Sequence, residues 1–275
     1  MRIDAHQHFW QYNPITQGWI NDEMRALRRD FTPKEVQTEI ESLNFAGAIA
    51  VQVEETLEEN FYLNNLADEN GFIKGIVGWL DLLDKHAEQK MQDLKSIQKL
   101  VGFRTITQGA PDEKYLGNRQ YIDNVKLLSS YNYTYDLLVH NTQMKSLIRF
   151  TDQLPDNRFI LDHLGKPDIK NKQIKNWKSD IKILAENPNI YCKLSGMTTE
   201  SDYQNWTYDD LYPYMEIVAE YFGTDRICFG SDWPVCLVAG SYNTTYSIVE
   251  KFCQQVTQTE KEKLFGLNTK EFYKL

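Results

Sequence analysis

Short β-rich runs alternate with longer amphipathic stretches along the whole of this sequence. Eight such runs follow one another: "RIDAHQH", "AGAIAVQV", "IKGIVGWL", "VGFRTI", "YTYDLLVH", "RFILDHLG", "IYCKLSG" and "RICFGSDW". The stretches between them carry helix signals, such as Pro33 near the start of "TPKEVQTEIESLNF" and a capping box from Thr257 to Glu260. Eight successive strand and helix pairs predict an α/β chain whose parallel sheet closes into a (β/α)8 TIM barrel.

We expect one domain over residues 1–275, because this length suits a single α/β barrel and no Gly/Ser-rich linker or low-complexity tract divides the chain. An open doubly wound sheet is the alternative fold. It would normally favour a glycine-rich phosphate turn after the first strand, and "HQHFWQY" offers none. The stretch from Phe9 to about Thr32 is long for a connection between strand and helix, which predicts a lid over the C-terminal end of the barrel.

Composition limits the classes of partner. The formal net charge of −9 and the pI near 5.1 disfavour a broad nucleic-acid footprint or an anionic membrane surface. The start of the chain lacks the pattern of a secretory signal, and no run approaches the roughly 18 apolar residues of a membrane span, so we expect a cytoplasmic protein. The sequence does not distinguish a monomer from a homo-oligomer. We predict that all four cysteines are buried free thiols, since no C-x-x-C pair occurs: Cys192, Cys228, Cys236 and Cys253.

Two histidines stand near the end of the first β-rich run. Side chains alternate along a strand, so His6 and His8 lie on the same face, close to the C-terminal end of the strand. In a barrel, both rings would then face the mouth, where they could hold a divalent cation or a substrate oxygen. The alternative is a pair of buried histidines that are satisfied by hydrogen bonds alone.

Three further candidates for the same site stand at the ends of other β-rich runs. His140 ends the fifth run, His163 lies near the end of the sixth, and Asp232 ends the eighth in "FGSDWP". The remaining histidine, His86, lies in a charged helical stretch and is interpreted as a surface residue. For Asp232 the alternative is an ordinary turn residue before a Trp-Pro dipeptide.

Taken together, these residues resemble the amidohydrolase superfamily, whose pattern is His-x-His on strand 1, histidines after strands 5 and 6, and an aspartate after strand 8. The segments "IDAHQHFW", "VGFRTITQ", "LDHLGKP", "YCKLSGM", "FGSDWPVC" and "LFGLNTKEFYKL" are more narrowly similar to the branch that hydrolyses sugar-acid lactones. The resemblance implies a barrel in which water attacks a carbonyl and Asp232 takes the proton of that water. It also implies a metal site, with the ligands His6, His8, His140 and Asp232, and a catalytic role for His163.

The fourth strand indicates how many metal ions to expect. A two-metal site needs a bridging carboxylate, whereas "VGFRTI" places Arg104 there, and a guanidinium cannot bridge cations. We therefore predict at most one divalent ion, zinc, which the reaction does not necessarily require. Arg104 is also a candidate catalytic and substrate-binding residue, because its donors suit a carboxylate or ester oxygen; the alternative is a structural salt bridge.

Further residues are candidates for substrate contacts. Lys193 and Ser195 share one face of the seventh strand, although a lysine within a strand can equally pair internally. Trp10 and Trp233 could cover an apolar ring face. Three glutamines near strand ends could bind ring hydroxyls: Gln7, Gln52 and Gln108.

The predicted function is the hydrolysis of a sugar-acid lactone, such as L-fucono- or L-rhamnonolactone, to the aldonate. A metal-dependent decarboxylase of the same superfamily could use the same side chains, and a barrel that binds sugar acids without catalysis is a third candidate. A glycosidase would need two acids about 5 to 9.5 Å apart at strand ends. The available acids match this requirement poorly: Glu54, Glu55, Asp81 and Asp232.

Overall fold

A computed structural model describes residues 1–275 and contains one eight-stranded parallel sheet. The strands are β1 (Arg2–Gln7), β2 (Phe45–Val51), β3 (Ile73–Gly78), β4 (Leu100–Ile106), β5 (Thr134–Leu138), β6 (Phe159–Leu161), β7 (Ile190–Leu194) and β8 (Ile227–Phe229). Each strand pairs with its neighbour in chain order. The first and last strands meet just beyond their ends, where His8 N donates to Trp233 O over 2.7 Å and Asp232 N donates to His6 O over 3.0 Å. The predicted (β/α)8 barrel is therefore confirmed.

Helices occupy the connections between the strands and follow β8. They are α1 (Pro33–Ser42), α2 (Leu57–Glu69), α3 (Ala87–Asp93), α4 (Arg119–Ser130), α5 (Met144–Asp152), α6 (Lys175–Ala185), α7 (Tyr208–Phe222), α8 (Tyr242–Phe252), α9 (Gln258–Glu262) and α10 (Asn268–Tyr273). Pro33 is the first residue of α1, and the capping box predicted from Thr257 to Glu260 begins α9. The Thr257 side chain accepts from a backbone N–H group at the start of α9, and Pro33 removes one N–H group that would lack a partner at the start of α1.

The apolar core has two parts. A large cluster fills the space between the outer face of the strands and the helices. A smaller cluster fills the barrel interior and consists of Ile3, Ala5, Ile49, Val51, Val77, Ile160, Cys228, Phe272 and Tyr273. The last two belong to α10, which covers the N-terminal ends of the strands: Asn268 Nδ2 donates to Ile227 O over 2.7 Å. The barrel interior is thus packed from below by the C-terminal helix.

The segment between β1 and α1 folds over the C-terminal end of the barrel, as the sequence predicts. Trp10 and Phe31 form an isolated bridge, with backbone hydrogen bonds of 3.1 and 2.9 Å, and Trp10 Nε1 donates to Arg29 O over 2.9 Å. The ring of Phe31 packs edge-on against Trp233, with 5.5 Å between their centroids. Aromatic packing at its two ends therefore attaches this segment to the barrel.

The four cysteines are free and buried, which confirms that prediction. None of the helices combines the length and the apolar character that crossing a membrane requires.

Candidate active site

The His-x-His pair lies at the C-terminal end of β1, with both rings buried on the same side. The two Nε2 atoms are 3.0 Å apart. His8 Nδ1 lies 2.8 Å from Val51 O, and since a carbonyl can only accept, His8 carries its proton on Nδ1. The lone pair of His8 Nε2 is therefore directed towards the mouth of the barrel.

Asp232 faces three imidazoles. Its Oδ1 lies 3.5 Å from Nε2 of His8, 3.8 Å from Nε2 of His6 and 3.9 Å from Nε2 of His163. The residue adopts a left-handed backbone conformation, with φ of 57°, three residues after the end of β8. Oδ2 takes part in none of these three contacts. The carboxylate thus has one oxygen directed at the histidines and a second one that remains available.

His163 reaches the cluster from the left-handed turn that follows β6, where its φ is 52°. Its Nδ1 lies 2.8 Å from Ser195 Oγ, so Ser195 orients the ring and leaves Nε2 facing Asp232. Gly196 makes room for this ring, because a Cβ there would lie 2.7 Å from His163 Nδ1. Ser195 was a candidate substrate contact, but it is buried and supports His163.

Burial determines the charge of the cluster. It lowers the pKa of His6 well below its ordinary value and that of His163 to about 4, so both rings are neutral at pH 7. For Asp232, burial raises the pKa, but the neighbouring imidazoles, first of all His163, lower it by more. The net direction is downward, and the carboxylate is ionised. Neutral imidazoles and an ionised carboxylate are the forms that bind metal.

The donor set fits one divalent ion. Atoms of His6, His8 and Asp232 that can act as ligands lie within 4.8 Å of one another, and nitrogen with carboxylate oxygen is a common zinc environment. His6 also belongs to a second such group, with Asp162 and His163. A guanidinium nitrogen of Arg104 stands 3.4 Å from His6 Nε2, and this cation disfavours a second metal beside the first.

Arg104 lines the mouth, but most of its donors bind the protein. Nη2 donates to the backbone oxygen of Gln52 over 2.6 Å and to its Oε1 over 3.0 Å. Nη1 lies 3.1 Å from Asp162 Oδ2. Only Nε lacks a partner. The structure thus supports the salt-bridge alternative for most of the guanidinium and leaves Nε for a ligand.

Lys193 does not lie at the pocket, contrary to the prediction that it contacts substrate. It is fully buried inside the barrel, where its Nζ lies 2.5 Å from Asp136 Oδ2 and 2.9 Å from Asp162 Oδ1. An ammonium in the interior must be paired with carboxylates, and these two partners satisfy that requirement. The alternative of internal pairing is therefore the one that the structure adopts.

His140 is not brought into the metal cluster, contrary to the predicted ligand set. β5 ends at Leu138, which lines the pocket, and His140 stands two residues later at the start of a turn, with its side chain exposed. Gln143 Oε1 accepts from His140 N over 3.0 Å and holds this turn. This turn leaves the imidazole exposed and outside the cluster.

Sequence reasoning missed two buried carboxylates. Asp136 lies in the middle of β5, and Asp162 directly precedes His163. A signal existed for Asp136, because a charged residue inside an otherwise apolar strand requires a buried partner. Asp162 had a weaker signal, its position at the end of a buried strand.

The cluster lies at the bottom of a cavity of about 380 Å³. Trp10 and the half-exposed Trp19 line it from the segment between β1 and α1, called the covering segment below. Gln52, after β2, and Gln108, after β4, also line it. The other lining residues are His8, Met24, Val53, Arg104, Ile106, Leu138, His163, Lys166, Thr199, Glu200, Tyr203, Asp232 and Val235.

Two predicted substrate contacts lie elsewhere. Trp233 is not among the lining residues; it is buried against Phe9 and Phe31, where it attaches the covering segment. Gln7 is fully buried, and its Nε2 donates to Asp4 over 2.8 Å. Both side chains point into the protein, because the Trp233 ring packs against two phenylalanines and the Gln7 amide donates to a buried carboxylate.

The chain is similar to known proteins along its whole length. An L-fucono-1,5-lactonase from Burkholderia multivorans is 31% identical over 286 residues, covering 100% of this chain and 96% of that protein. A second L-fucono-1,5-lactonase, from Burkholderia ambifaria, is 30% identical with the same coverage. A crystal structure of an amidohydrolase from Burkholderia multivorans with bound zinc superposes with a TM-score of 0.96 at 31% identity, covering 100% and 99% of the two chains. The family model described as amidohydrolase matches residues 3–275, and the chain therefore belongs to the amidohydrolase family.

Proposed function

We propose that this protein hydrolyses a sugar-acid lactone to the free aldonate, with L-fucono-1,5-lactone or a lactone of a similar six-carbon deoxy sugar acid as substrate. The observation that carries the proposal is the ionised Asp232, whose Oδ1 lies 3.5 Å from Nε2 of His8 at the bottom of a cavity of sugar size. The two lactonases that are about 30% identical over the full chain support this substrate class.

We assign the metal site to His6, His8 and Asp232. The imidazoles of His6 and His8 and the ionised carboxylate of Asp232 offer nitrogen and oxygen donors of the kind that zinc prefers. When bound, one zinc ion would polarise the lactone carbonyl and lower the pKa of a water molecule to about 7. His140 has no place in this ligand set, because its side chain is exposed beyond the mouth.

The proton transfers are assigned to Asp232. Its Oδ2, which is free of the imidazole contacts, accepts a proton from the water that attacks the carbonyl carbon. The new C–O bond gives a tetrahedral intermediate, and when the bond to the ring oxygen breaks, Asp232 returns the proton to that oxygen. The remaining acid proton leaves to solvent, and the product is the aldonate. General-base assistance of this kind contributes roughly 10² to 10⁴ in rate.

His163 is assigned to the developing oxyanion. With the Ser195 hydroxyl donating to Nδ1 over 2.8 Å, the neutral ring carries its proton on Nε2, the atom that faces Asp232. An N–H group held in place before the reaction stabilises negative charge on the carbonyl oxygen. The Nε atom of Arg104, the one donor of that side chain without a partner, could bind the same oxygen or the ring oxygen.

Substrate selectivity is assigned to the cavity wall. Gln108 Oε1 is a buried acceptor without a partner, suited to a ring hydroxyl. Lys166 Nζ and Glu200 Oε1 form a 3.2 Å ion pair on the wall, and Trp10 and Trp19 could cover an apolar ring face. A hydroxyl of the wrong configuration would leave such groups unpaired, at a cost of about 1 to 3 kcal/mol each.

The deciding experiment is a panel of aldonolactones that differ in ring size and hydroxyl configuration, assayed before and after treatment with a chelator. We expect hydrolysis of at least one lactone, measured by the release of acid. If the lactones are inert and an aromatic or unsaturated carboxylic acid releases carbon dioxide, the protein is a decarboxylase. If sugar acids bind and nothing turns over with added zinc or manganese, the protein is a binding barrel.

We also propose a cytoplasmic enzyme that acts on this small molecule and has no nucleic-acid partner. The net charge of −9 and four buried free thiols support this environment.

A further inference from the structure

The wall of the active-site cavity has an apolar side. Going round the barrel, the ends of β2, β4 and β5 contribute three apolar side chains to it, those of Val53, Ile106 and Leu138. No residue of β3 or of the turn after it lines the cavity, so these three side chains follow one another along the wall. They are called the apolar side below.

The polar side of the wall comes from the next two strands. The loops after β6 and β7 contribute Lys166, Thr199, Glu200 and Tyr203. Lys166 Nζ lies 3.2 Å from Glu200 Oε1, and the two side chains are 18% and 21% exposed. The pair has no net charge, yet the ammonium keeps two further donors and the carboxylate a second oxygen. This side can therefore bind several hydroxyl groups of a neutral sugar.

Two glutamines stand near the apolar side and leave its character unchanged. Gln52 is held by Arg104, whose Nη2 donates to Gln52 Oε1 over 3.0 Å. Gln108 lies two residues beyond the end of β4, and its Oε1 is the acceptor assigned above to a ring hydroxyl. The three apolar side chains themselves offer no polar atom, so a hydroxyl placed against them would lack a partner.

The 1,5-lactone of a 6-deoxy sugar acid is divided in the same way. Its ring oxygen and the carbon that carries the methyl group lie on one side of the carbonyl carbon, and the hydroxyl-bearing carbons begin on the other. With the carbonyl at the bottom of the cavity, one orientation places the methyl group on the apolar side and the hydroxyls beside Lys166 and Glu200. The ring oxygen then lies towards β4, where the Nε atom of Arg104 has no partner.

We propose that this division of the wall orients the lactone and selects 6-deoxy sugar acids. Val53, Ile106 and Leu138 receive the methyl group, while Lys166 and Glu200 bind ring hydroxyls. The inference rests on the proposed function and adds the residues that determine its selectivity. A 6-hydroxy lactone would place one more hydroxyl among apolar side chains, and discrimination of this kind amounts to about tenfold to 100-fold.

The first test compares kcat/KM for L-fucono-1,5-lactone with that for L-galactono-1,5-lactone, which differs only by a hydroxyl on the last carbon. L-Rhamnono- and L-mannono-1,5-lactone form a second pair with another hydroxyl configuration. We expect the 6-deoxy lactone of the hydrolysed pair to be favoured about tenfold or more. Equal values within the pair, or a preference for the 6-hydroxy lactone, would overturn the proposal.

Val53→Thr tests the apolar side, because it adds a hydroxyl there with little change in volume. We expect the preference for the 6-deoxy lactone to fall about threefold or more, since the extra hydroxyl gains a partner. Val235→Thr is the matched control: Val235 is also half-buried and lines the cavity, but it follows β8. Its preference should equal that of wild type. An unchanged preference in Val53→Thr, or the same change in both variants, would contradict the assignment of the methyl group.

Glu200→Gln tests the polar side. The amide keeps the shape of the carboxylate but loses its charge, so kcat/KM should fall about tenfold for both lactones of a pair. Their ratio should stay the same, because both carry the same ring hydroxyls. Glu220→Gln, in the exposed pair with Lys178, is the control that should keep wild-type values. Wild-type kcat/KM in Glu200→Gln would overturn the assignment of the hydroxyls.

Failure of the proposed function gives a different result from failure of this inference. If no lactone is hydrolysed, with or without added zinc, the proposed function is wrong, whereas hydrolysis without a preference within the pairs refutes only the inference. In the first case, isothermal titration with L-fuconate and L-galactonate measures the selectivity of the wall directly. Binding of L-fuconate about tenfold tighter would support the division of the wall, and equal affinities would refute it.

Discussion

His8 Nε2 lies 3.5 Å from Asp232 Oδ1, although one residue follows the first strand and the other follows the last. Two further bonds support this contact: Asp232 N donates to His6 O over 3.0 Å, and Ser231 N donates to the buried Asp4 over 2.9 Å. The site is therefore assembled at the seam where the barrel closes. Its geometry depends on the whole fold.

Asp232→Asn is expected to lower kcat about 100-fold or more with little change in KM or Tm. The amide keeps the shape of the carboxylate but accepts no proton at neutral pH. Steady-state kinetics on the hydrolysed lactone measures this effect. Asp225→Asn, an exposed aspartate paired only with Lys263, is the control that should keep full turnover. Near-normal turnover of Asp232→Asn would mean that Asp232 is only a turn residue.

The ligand set is tested by a pair of histidine variants. We expect His8→Ala to lose most bound zinc, because it removes a nitrogen that faces Asp232, and His140→Ala to retain about one zinc ion per chain. Metal content after gel filtration measures both. Loss of zinc from His140→Ala would show that His140 is a ligand after all. Two ions in the wild-type protein would contradict the prediction, based on Arg104, of at most one ion.

Trp19→Ala tests the covering segment. The Trp19 ring lines the cavity edge-on to Trp10, with 6.1 Å between their centroids, and is 43% exposed, so its loss should spare folding. We expect KM to rise roughly fivefold, since apolar area that would cover the sugar is lost, with kcat changed less. Ile15→Ala is the control, because Ile15 lies on the same segment, is 87% exposed and does not line the cavity. Equal KM values for the two variants would remove Trp19 from the substrate contacts.

Glu59 should make the protein less stable as pH rises. Burial raises the pKa of Glu59 from 4.5 to about 7, and its Oε1 accepts from Val53 N over 2.8 Å beside the cavity. Between these two values the unfolded chain gives up a proton that the folded chain keeps. The stabilisation is therefore complete below pH 4.5 and is lost as pH rises through 7.

Glu59→Gln keeps an acceptor and carries no charge. Its free energy of unfolding at pH 8 should exceed that of wild type by on the order of 2 to 3 kcal/mol, with a smaller difference at pH 5. Urea unfolding at both pH values measures this, and Glu58→Gln, exposed on the same helix, is the control. Parallel stability curves for wild type and Glu59→Gln would contradict the prediction.

The features that depend on local periodicity could be predicted from the amino-acid sequence. Alternation along β1 puts His6 and His8 on one side, and eight β-rich runs separated by helical stretches specify a barrel whose strand ends meet at one mouth. Asp232, three residues after the end of β8, was located by the same rule.

Which side chains reach that mouth depends on how the strands and their connections pack, and local periodicity does not predict it. His140 and His163 each stand two residues past the end of a strand, but only His163 is turned into the cluster, by a left-handed backbone and the space at Gly196. Lys193 stays inside the barrel because Asp136 and Asp162 meet it there, from strands that are distant in sequence. A strand pattern specifies the side on which a residue lies, but its partner and its depth are set by how the strands come together when the barrel closes.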